Sequence, residues 1–341
     1  MMNKKFANAR ERIPQAVPPI WMMRQAGRYH AHYQALRKKH SFMELCKEPE
    51  LAANVAMGPI EDFDFDVAIL FSDLLFPLEA LGMGLEYKDT GPELGWHLDK
   101  DSIKKIASVE EALPKLRFQQ DAVRATRSAL PASKSLIGFV GGPFTLFTYA
   151  VEGSHKGLLV GVKRNLPLYE KFNETLVPLL IENIRLQFEG GAELVMLFDT
   201  AAGELSPGHF ERLALPAIEK IARSFPGKIG YYAKATTPAH ARAPFFRENT
   251  LAGIGVDHRW DILDAFPLAK SGFVQGNFDQ VLLTLDPSDF NREFDAYLAP
   301  LRKLSSAERA GWVAGLGHGV IPQAKEANVR SFVEKIRREF A

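Results

Sequence analysis

A single cysteine, Cys46, is all that the 341-residue chain contains. That excludes an intramolecular disulfide and any metal site built on several thiolates. Its neighbours in Phe42-Met43-Glu44-Leu45-Cys46 mark it as a small buried apolar residue. Charge of one sign is lacking too, since 42 Lys and Arg stand against 41 Asp and Glu, leaving +1. No overall basic field points to nucleic acid, and an anionic ligand must be met by a local cluster of cations. Nothing approaches about eighteen consecutive apolar residues, so no membrane span is expected. The stretch Met1–Arg12 is too polar for a secretory signal, so a cytoplasmic protein is expected. No Gly-rich dinucleotide fingerprint follows the first apolar run, and no internal repeat or low-complexity tract is present.

What the chain has is an alternation of short apolar runs and longer helical patterns. The runs are Pro19–Met22, Val67–Phe71, Leu136–Val140, Leu194–Phe198, Ile229–Tyr232, Leu251–Val256, Gly272–Gly276 and Trp312–Leu316. They lack strict polar alternation, as parallel strands buried on both faces do. Between them, Pro167–Glu189 carries an apolar stripe at helical spacing. Ser108–Leu130 opens with the capping-box pair Ser108 and Glu111, while Phe210–Phe225 and Pro322–Phe340 are amphipathic. β-then-α units with no compositional break predict an α/β protein, a single-domain (β/α)8 TIM barrel over residues 1–341. A doubly wound open sheet is the alternative. Residues 88–107 read as an insertion after the second strand.

In a barrel, chemistry gathers at the C-terminal ends of the strands. After the first run come Arg24, Gln25, Ala26, Gly27 and Arg28. Guanidinium groups are suited to two-pronged recognition of carboxylates, and Gly27 permits a positive φ and close backbone approach. The plainer reading makes Arg24 and Arg28 surface residues one helical turn apart. After the second run, Asp73 sits inside the apolar stretch Phe71-Ser72-Asp73-Leu74-Leu75-Phe76-Pro77, where a charge is costly unless partnered. An N-cap is its plainer role. Gly141-Gly142-Pro143-Phe144-Thr145 leads to Tyr149 and Glu152, and Asp199-Thr200 follows the fourth run. Thr200 offers a hydroxyl, whereas Asp199 reads as structural. His318 closes the set, between Gly317 and Gly319.

Met-Arg-Gln-Ala-Gly-Arg-Tyr, Phe-Ser-Asp, Gly-Gly-Pro-Phe-Thr, Thr-Tyr-Ala-Val-Glu-Gly, Phe-Asp-Thr and Gly-His-Gly-Val occur in that order and span almost the whole chain. Together they resemble the uroporphyrinogen decarboxylase family. The resemblance implies removal of carbon dioxide from the four acetate side chains of uroporphyrinogen III, giving coproporphyrinogen III in haem biosynthesis. It implies no metal or cofactor, a tetrapyrrole as the small-molecule partner, and a homodimer. By position, Arg24, Arg28 and Arg37 become carboxylate-binding residues, and Gln25, Ala26 and Gly27 the loop that contacts substrate. Asp73 becomes the group that binds the pyrrole N–H donors, and Tyr149, Thr200 and His318 the remaining contacts. Asp73, Arg28 and Arg37 are the catalytic candidates.

Three places depart from the family pattern. Arg-Tyr-Leu-Pro-Glu-Tyr-Arg reads Arg28-Tyr29-His30-Ala31-His32-Tyr33-Gln34, so a frequent arginine is Gln34. Gly-Asn-Leu-Asp-Pro reads Gly276-Asn277-Phe278-Asp279-Gln280, and Thr200 stands where some members carry serine. Zinc- and corrinoid-dependent methyltransferases on a similar barrel form a rival class. They need thiolate ligands, which the lone Cys46 does not supply. A second rival is a catalytically idle tetrapyrrole-binding scaffold, against which the intact Arg24, Arg28, Asp73 and His318 argue.

Overall fold

Seven parallel strands lie side by side in the order in which the chain makes them. The computed structural model describes residues 2–88 and 91–341. With β1 (Val67–Ile69), β2 (Glu86–Lys88) and β3 (Gly91–Glu93) first, the rest are β4 (Ser135–Gly141), β5 (Leu194–Phe198), β6 (Ile229–Tyr232), β7 (Gly253–Gly255), β8 (Phe273–Phe278) and β9 (Trp312–Leu316). The sheet runs β1-β4-β5-β6-β7-β8-β9, and β2 and β3 form a separate antiparallel pair. Every residue of the seven sheet strands is buried. This is why their sequences run apolar without alternation. Strand order never reverses, so the crevice of a doubly wound sheet, which forms at such a reversal, has no place here.

Seven of the eight expected runs are strands in the mixed α/β fold; Pro19–Met22 is not. It makes one isolated parallel bridge, Ile20 to Ala314 of β9. Trp21 N–H donates to Ala314 O, and Ala314 N–H donates to Pro19 O. On its other side Asp66 N–H, one residue before β1, donates to Ile20 O, and Ile20 N–H donates to the Asp66 carboxylate at 2.9 Å. Pro18 and Pro19 lack the N–H a longer ladder needs. The segment thus touches both outer strands of the sheet without becoming one.

The helical expectations hold with breaks at prolines. Pro167–Glu189 is the helix Leu166–Gly190, burying Phe172, Leu176, Leu179, Leu180 and Ile184. Ser108–Leu130 splits into Val109–Ala112, a 3-10 turn Leu113–Leu116 around Pro114, and the helix Arg117–Ala129. Its capping box is formed, with Ser108 and Glu111 bonding each other's backbone N–H. Phe210–Phe225 becomes a wide turn, Phe210–Ala214, then Leu215–Ser224 with Pro216 at the junction. The last helix starts later than expected, at Glu326. The insertion at 88–107 contributes strand β3; its Asp89 and Thr90 lie outside the described residues. Among the described residues no helix is long and apolar enough to cross a membrane.

Candidate active site

Because the strands are parallel and their ends nearly level, the segments that follow them share one rim. Gly141, Phe198, Tyr232 and Gly255 stand in register at the C-terminal ends of β4 to β7, and Phe278 faces Leu316 across β8 and β9. Asp73 follows β1, Tyr149 follows β4, Thr200 follows β5 and His318 follows β9. Arg24 follows the Pro19–Trp21 segment, and Val320 N–H donates to Met23 O, stitching the His318 loop to the arginine's loop.

Arg24 takes a left-handed backbone, φ +56°, and is exposed. The freedom expected of Gly27 is thus spent at Arg24 instead, while Gly27 keeps an ordinary φ. A glycine is required elsewhere. A Cβ on Gly319 would stand 2.5 Å from Arg24 Cδ and 2.8 Å from its Cγ, so the arginine's stem lies where that side chain would be. Neither Arg24 nor Arg28 forms an ion pair among the described residues, and the two sit in a looped stretch rather than one turn apart on a helix. Gln25 is buried and frames the loop. Its side chain donates to Val67 O of β1 at 3.0 Å, and its carbonyl accepts the Tyr29 hydroxyl at 2.7 Å. Ala26 and Gly27 are half-buried beside it.

Asp73 is partly buried. One carboxylate oxygen accepts the N–H of Leu75 at 2.9 Å, two residues on, which makes an Asx turn rather than a helix cap. Burial pushes its carboxyl up from the ordinary range. The Tyr87 hydroxyl, the Leu75 N–H and the Arg24 charge oppose that rise. Tyr87 lies near this carboxylate but short of hydrogen-bond geometry, and its own ionisation is pushed up by burial and by Asp73. Phe42 places its ring 4.5 Å from Tyr87 and 5.9 Å from Phe71, giving an aromatic wall beside the carboxylate.

Tyr149 lies in the helix Pro143–Glu152, and its hydroxyl meets His155 Nδ1 at 2.6 Å. Burial, and then Asp73, pushes its phenol up to about 12, with Arg24 opposing. That helix is held by Asp199, which is wholly buried and accepts both the N–H and the hydroxyl of Thr145 at 2.8 Å. Asp199 is structural, as its sequence reading has it. Thr200 beside it is half-exposed, with no side-chain hydrogen bond among the described residues. Glu152 is likewise structural, accepting Val162 N–H at 3.1 Å.

His318 stacks on Tyr232, rings 12° apart. The Tyr232 hydroxyl lies 2.7 Å from Gly317 O and 3.1 Å from His318 Nδ1. A carbonyl can only accept, so the tyrosine proton goes to Gly317 and His318 must donate from Nδ1–H. Nε2 then carries a bare lone pair. Burial, Arg24 and Lys234, then His155 and His258, push the imidazole down to about 3, so it is neutral near pH 7.

The arginines divide. The Arg24 charge reaches Asp73, Tyr149, His155 and His318, whereas Arg28 and Arg37 both act on the Tyr33 hydroxyl. Arg37 ends the helix Ala31–Arg37 and donates to His40 O at 2.5 Å. Gln34, in place of an arginine, donates to Arg28 O at 2.8 Å. Neither of two cavities is lined by Arg24, Asp73, Tyr149 or His318. One of about 30 Å³ sits among Phe210, Tyr231, Phe246 and Trp260. Another of about 480 Å³ opens at the N-terminal ends of the strands, beside Arg12, Lys228 and Lys270.

The family model for uroporphyrinogen decarboxylase (URO-D) matches residues 1–339. The chain belongs to the uroporphyrinogen decarboxylase family. The uroporphyrinogen decarboxylase of Myxococcus xanthus (strain DK1622) is 31% identical over 351 residues, covering 99% of this chain and 97% of that protein. The uroporphyrinogen decarboxylase of Anaeromyxobacter dehalogenans (strain 2CP-C) is 35% identical over 354 residues, covering 98% of each. A solved structure, the methyltransferase from Methanosarcina mazei, superposes with a TM-score of 0.79 over 99% of both chains at 16% identity. That likeness concerns the fold alone. Cys46 is buried, and among the described residues no group of three or more His, Cys, Asp or Glu is arranged to hold a metal.

Sequence reading passed over several groups that stand with this decarboxylase-family constellation. His155 and Tyr87 engage Tyr149 and Asp73, Tyr232 orients His318, and the charge of Lys234 reaches both histidines. Lys234, two residues beyond β6, is the first charged residue after a strand end, and that rule alone would have found it. Nothing in the sequence around Tyr87, just before the insertion at 88–107, singles it out.

Proposed function

We infer that this chain removes carbon dioxide from the four acetate side chains of uroporphyrinogen III, giving coproporphyrinogen III for haem biosynthesis. The observation that supports it is the grouping of Arg24, Asp73, Tyr149 and His318 at one rim of a chain matched to the family over residues 1–339. In this reading the chain is one domain, a (β/α)8 barrel whose first strand is the irregular segment around Ile20. It works in the cytoplasm as a homodimer, with neither metal nor cofactor.

An acetate on a pyrrole loses carbon dioxide with difficulty, because the methylene carbanion has no electron sink. Protonation of the adjacent ring carbon turns the ring into an iminium-like cation, which accepts the electron pair as the C–C bond breaks. Protonation of the resulting exocyclic methylene then gives the methyl group. Asp73 suits the central role, because a fixed carboxylate in a cleft of low polarity accepts the pyrrole N–H groups and stabilises the developing cation. Arg24, Arg28 and Arg37 grip carboxylates, the half-buried Ala26 and Gly27 line the approach, and the buried Gln25 holds their loop against β1. Thr200 adds a hydroxyl. His318 enters as an acceptor through Nε2, since its Nδ1–H is engaged by Tyr232. Tyr149, with its phenol pushed up to about 12, keeps its proton as a hydrogen-bond donor.

The test incubates chelator-treated, dialysed protein with uroporphyrinogen under reducing conditions. Oxidised products are then separated by carboxylate number. Stepwise appearance of porphyrins with fewer carboxylates down to coproporphyrin is the expected result. Absence of turnover, or turnover restored only by added metal, refutes the reading. Sedimentation at twice the chain mass tests the homodimer.

A further inference from the structure

We propose that Lys234 is a further substrate-binding cation of the cleft, holding a side-chain carboxylate of the tetrapyrrole on the side opposite the arginine loop. The proposal rests on the decarboxylase reading above.

Placement comes first. Lys234 follows β6, the middle strand of the seven. The segment that carries Arg24 bonds to Ala314 of β9 and to Asp66 just before β1, at the two outer strands. The two loops therefore face each other across the rim. Lys234 is half-buried, and its ammonium makes no ion pair or hydrogen bond among the described residues. The carboxylate that anchors its loop is already engaged: Asp257 accepts the N–H of Ala235 at 2.6 Å and pairs with Arg259 at 2.5 Å. A partly buried cation without an anion is unfavourable unless a ligand supplies one.

Its surroundings point the charge into the cleft. Lys234 and Arg24 both act on His155 and His318, the partners of Tyr149 and Tyr232. Two cations thus meet in a cleft where Asp73 is the carboxylate that both burial and Arg24 single out. The loop after β5, which carries Thr200, is shaped to admit the lysine's backbone. A Cβ on Gly203 would stand 1.9 Å from Lys234 O, a separation no side chain tolerates. The substrate carries an acetate and a propionate on each pyrrole. With one cation group on the Arg24 side and another at Lys234, carboxylates on opposite edges of the macrocycle are gripped together. Its centre is then held over Asp73 while one acetate reacts.

The experiment compares wild type, Lys234→Met, Lys234→Arg and the exposed control Lys303→Gln. KM and kcat are measured with uroporphyrinogen, and equilibrium affinity is measured for coproporphyrinogen, which keeps only the propionates. Lys234→Met should raise KM by about one to two decades while kcat stays within about twofold. Lys234→Arg should restore most of the affinity, and Lys303→Gln should match wild type. Weakened coproporphyrinogen binding assigns Lys234 to a propionate; unchanged product binding with raised KM assigns it to an acetate. An unchanged KM in Lys234→Met, or a loss of kcat that leaves KM and product affinity intact, overturns the proposal. Failure of the wild type to turn over uroporphyrinogen refutes the decarboxylase reading instead, and the coproporphyrinogen affinities still decide the lysine's role.

Discussion

Replacing Asp73 with asparagine removes one negative charge and little else. The amide oxygen still accepts the Leu75 N–H that Asp73 accepts at 2.9 Å, so the turn leading into the next helix survives. Burial raises the Asp73 carboxyl, which means the fold disfavours its charge. The neutral amide escapes that cost, and thermal stability of Asp73→Asn should match or slightly exceed that of wild type. Catalysis should suffer heavily. A unit charge about 4 Å from a developing cation is worth roughly 4 kcal/mol at an effective dielectric near 20. The loss of one preorganised group in an oxyanion hole gives a similar scale, about 10²–10³ in kcat. We expect at least that loss for Asp73→Asn, with coproporphyrinogen affinity largely kept. Since the carboxylate is the working form and its pKa is raised, wild-type kcat should fall with acidification at a pH above the ordinary 3.8. The asparagine variant should lack that limb. The assay pairs steady-state kinetics across pH with thermal denaturation and product binding. Near-wild-type kcat would reduce Asp73 to a turn residue. A fall in melting temperature that accompanies lost activity would refute the separation of turn from charge.

Arg28→Lys keeps the charge but not the two-pronged geometry, so kcat/KM should drop by about one to two decades, equivalent to roughly 1.5–3 kcal/mol. Full activity would show that the fork is idle there. Gly319→Ala puts a methyl where the Arg24 stem lies, 2.5 Å from Cδ, and forces another rotamer. We expect about a tenfold loss in kcat/KM with folding preserved, and wild-type kinetics would show that Arg24 works from elsewhere. Asp199 has its carboxyl pushed from 3.8 up to about 6 in the fold, so its contribution to stability is complete below 3.8 and lost as pH rises through 6. Asp199→Asn, which mimics the neutral acid and keeps the Thr145 bonds, should be more stable at pH 7 by up to about 3 kcal/mol. Denaturant melts at pH 7 that show no gain would mean the buried charge is compensated.

The sequence alone carried the architecture's main terms. Apolar runs without alternation specify parallel strands buried on both faces, and seven of the eight runs form them. The same strand ends led to Asp73, Tyr149, Thr200 and His318, because a polar residue in an apolar context is locally visible. Local pattern did not decide Pro19–Met22, where missing proline donors outweigh an apolar composition and leave one bridge. Nor did it place the left-handed turn at Arg24, or the arginine's stem in the space beside Gly319 of the neighbouring loop. The tautomer of His318 is set by Tyr232, 86 residues away along the chain. The isolation of Lys234 follows from Asp257 being spent on its neighbours. Such facts rest on which groups remain unsatisfied after distant segments meet, and hydrogen-bond saturation is a property of the assembled rim. A strand can be read from its own residues, but a free cation or a bare lone pair exists only once every competing partner has been placed.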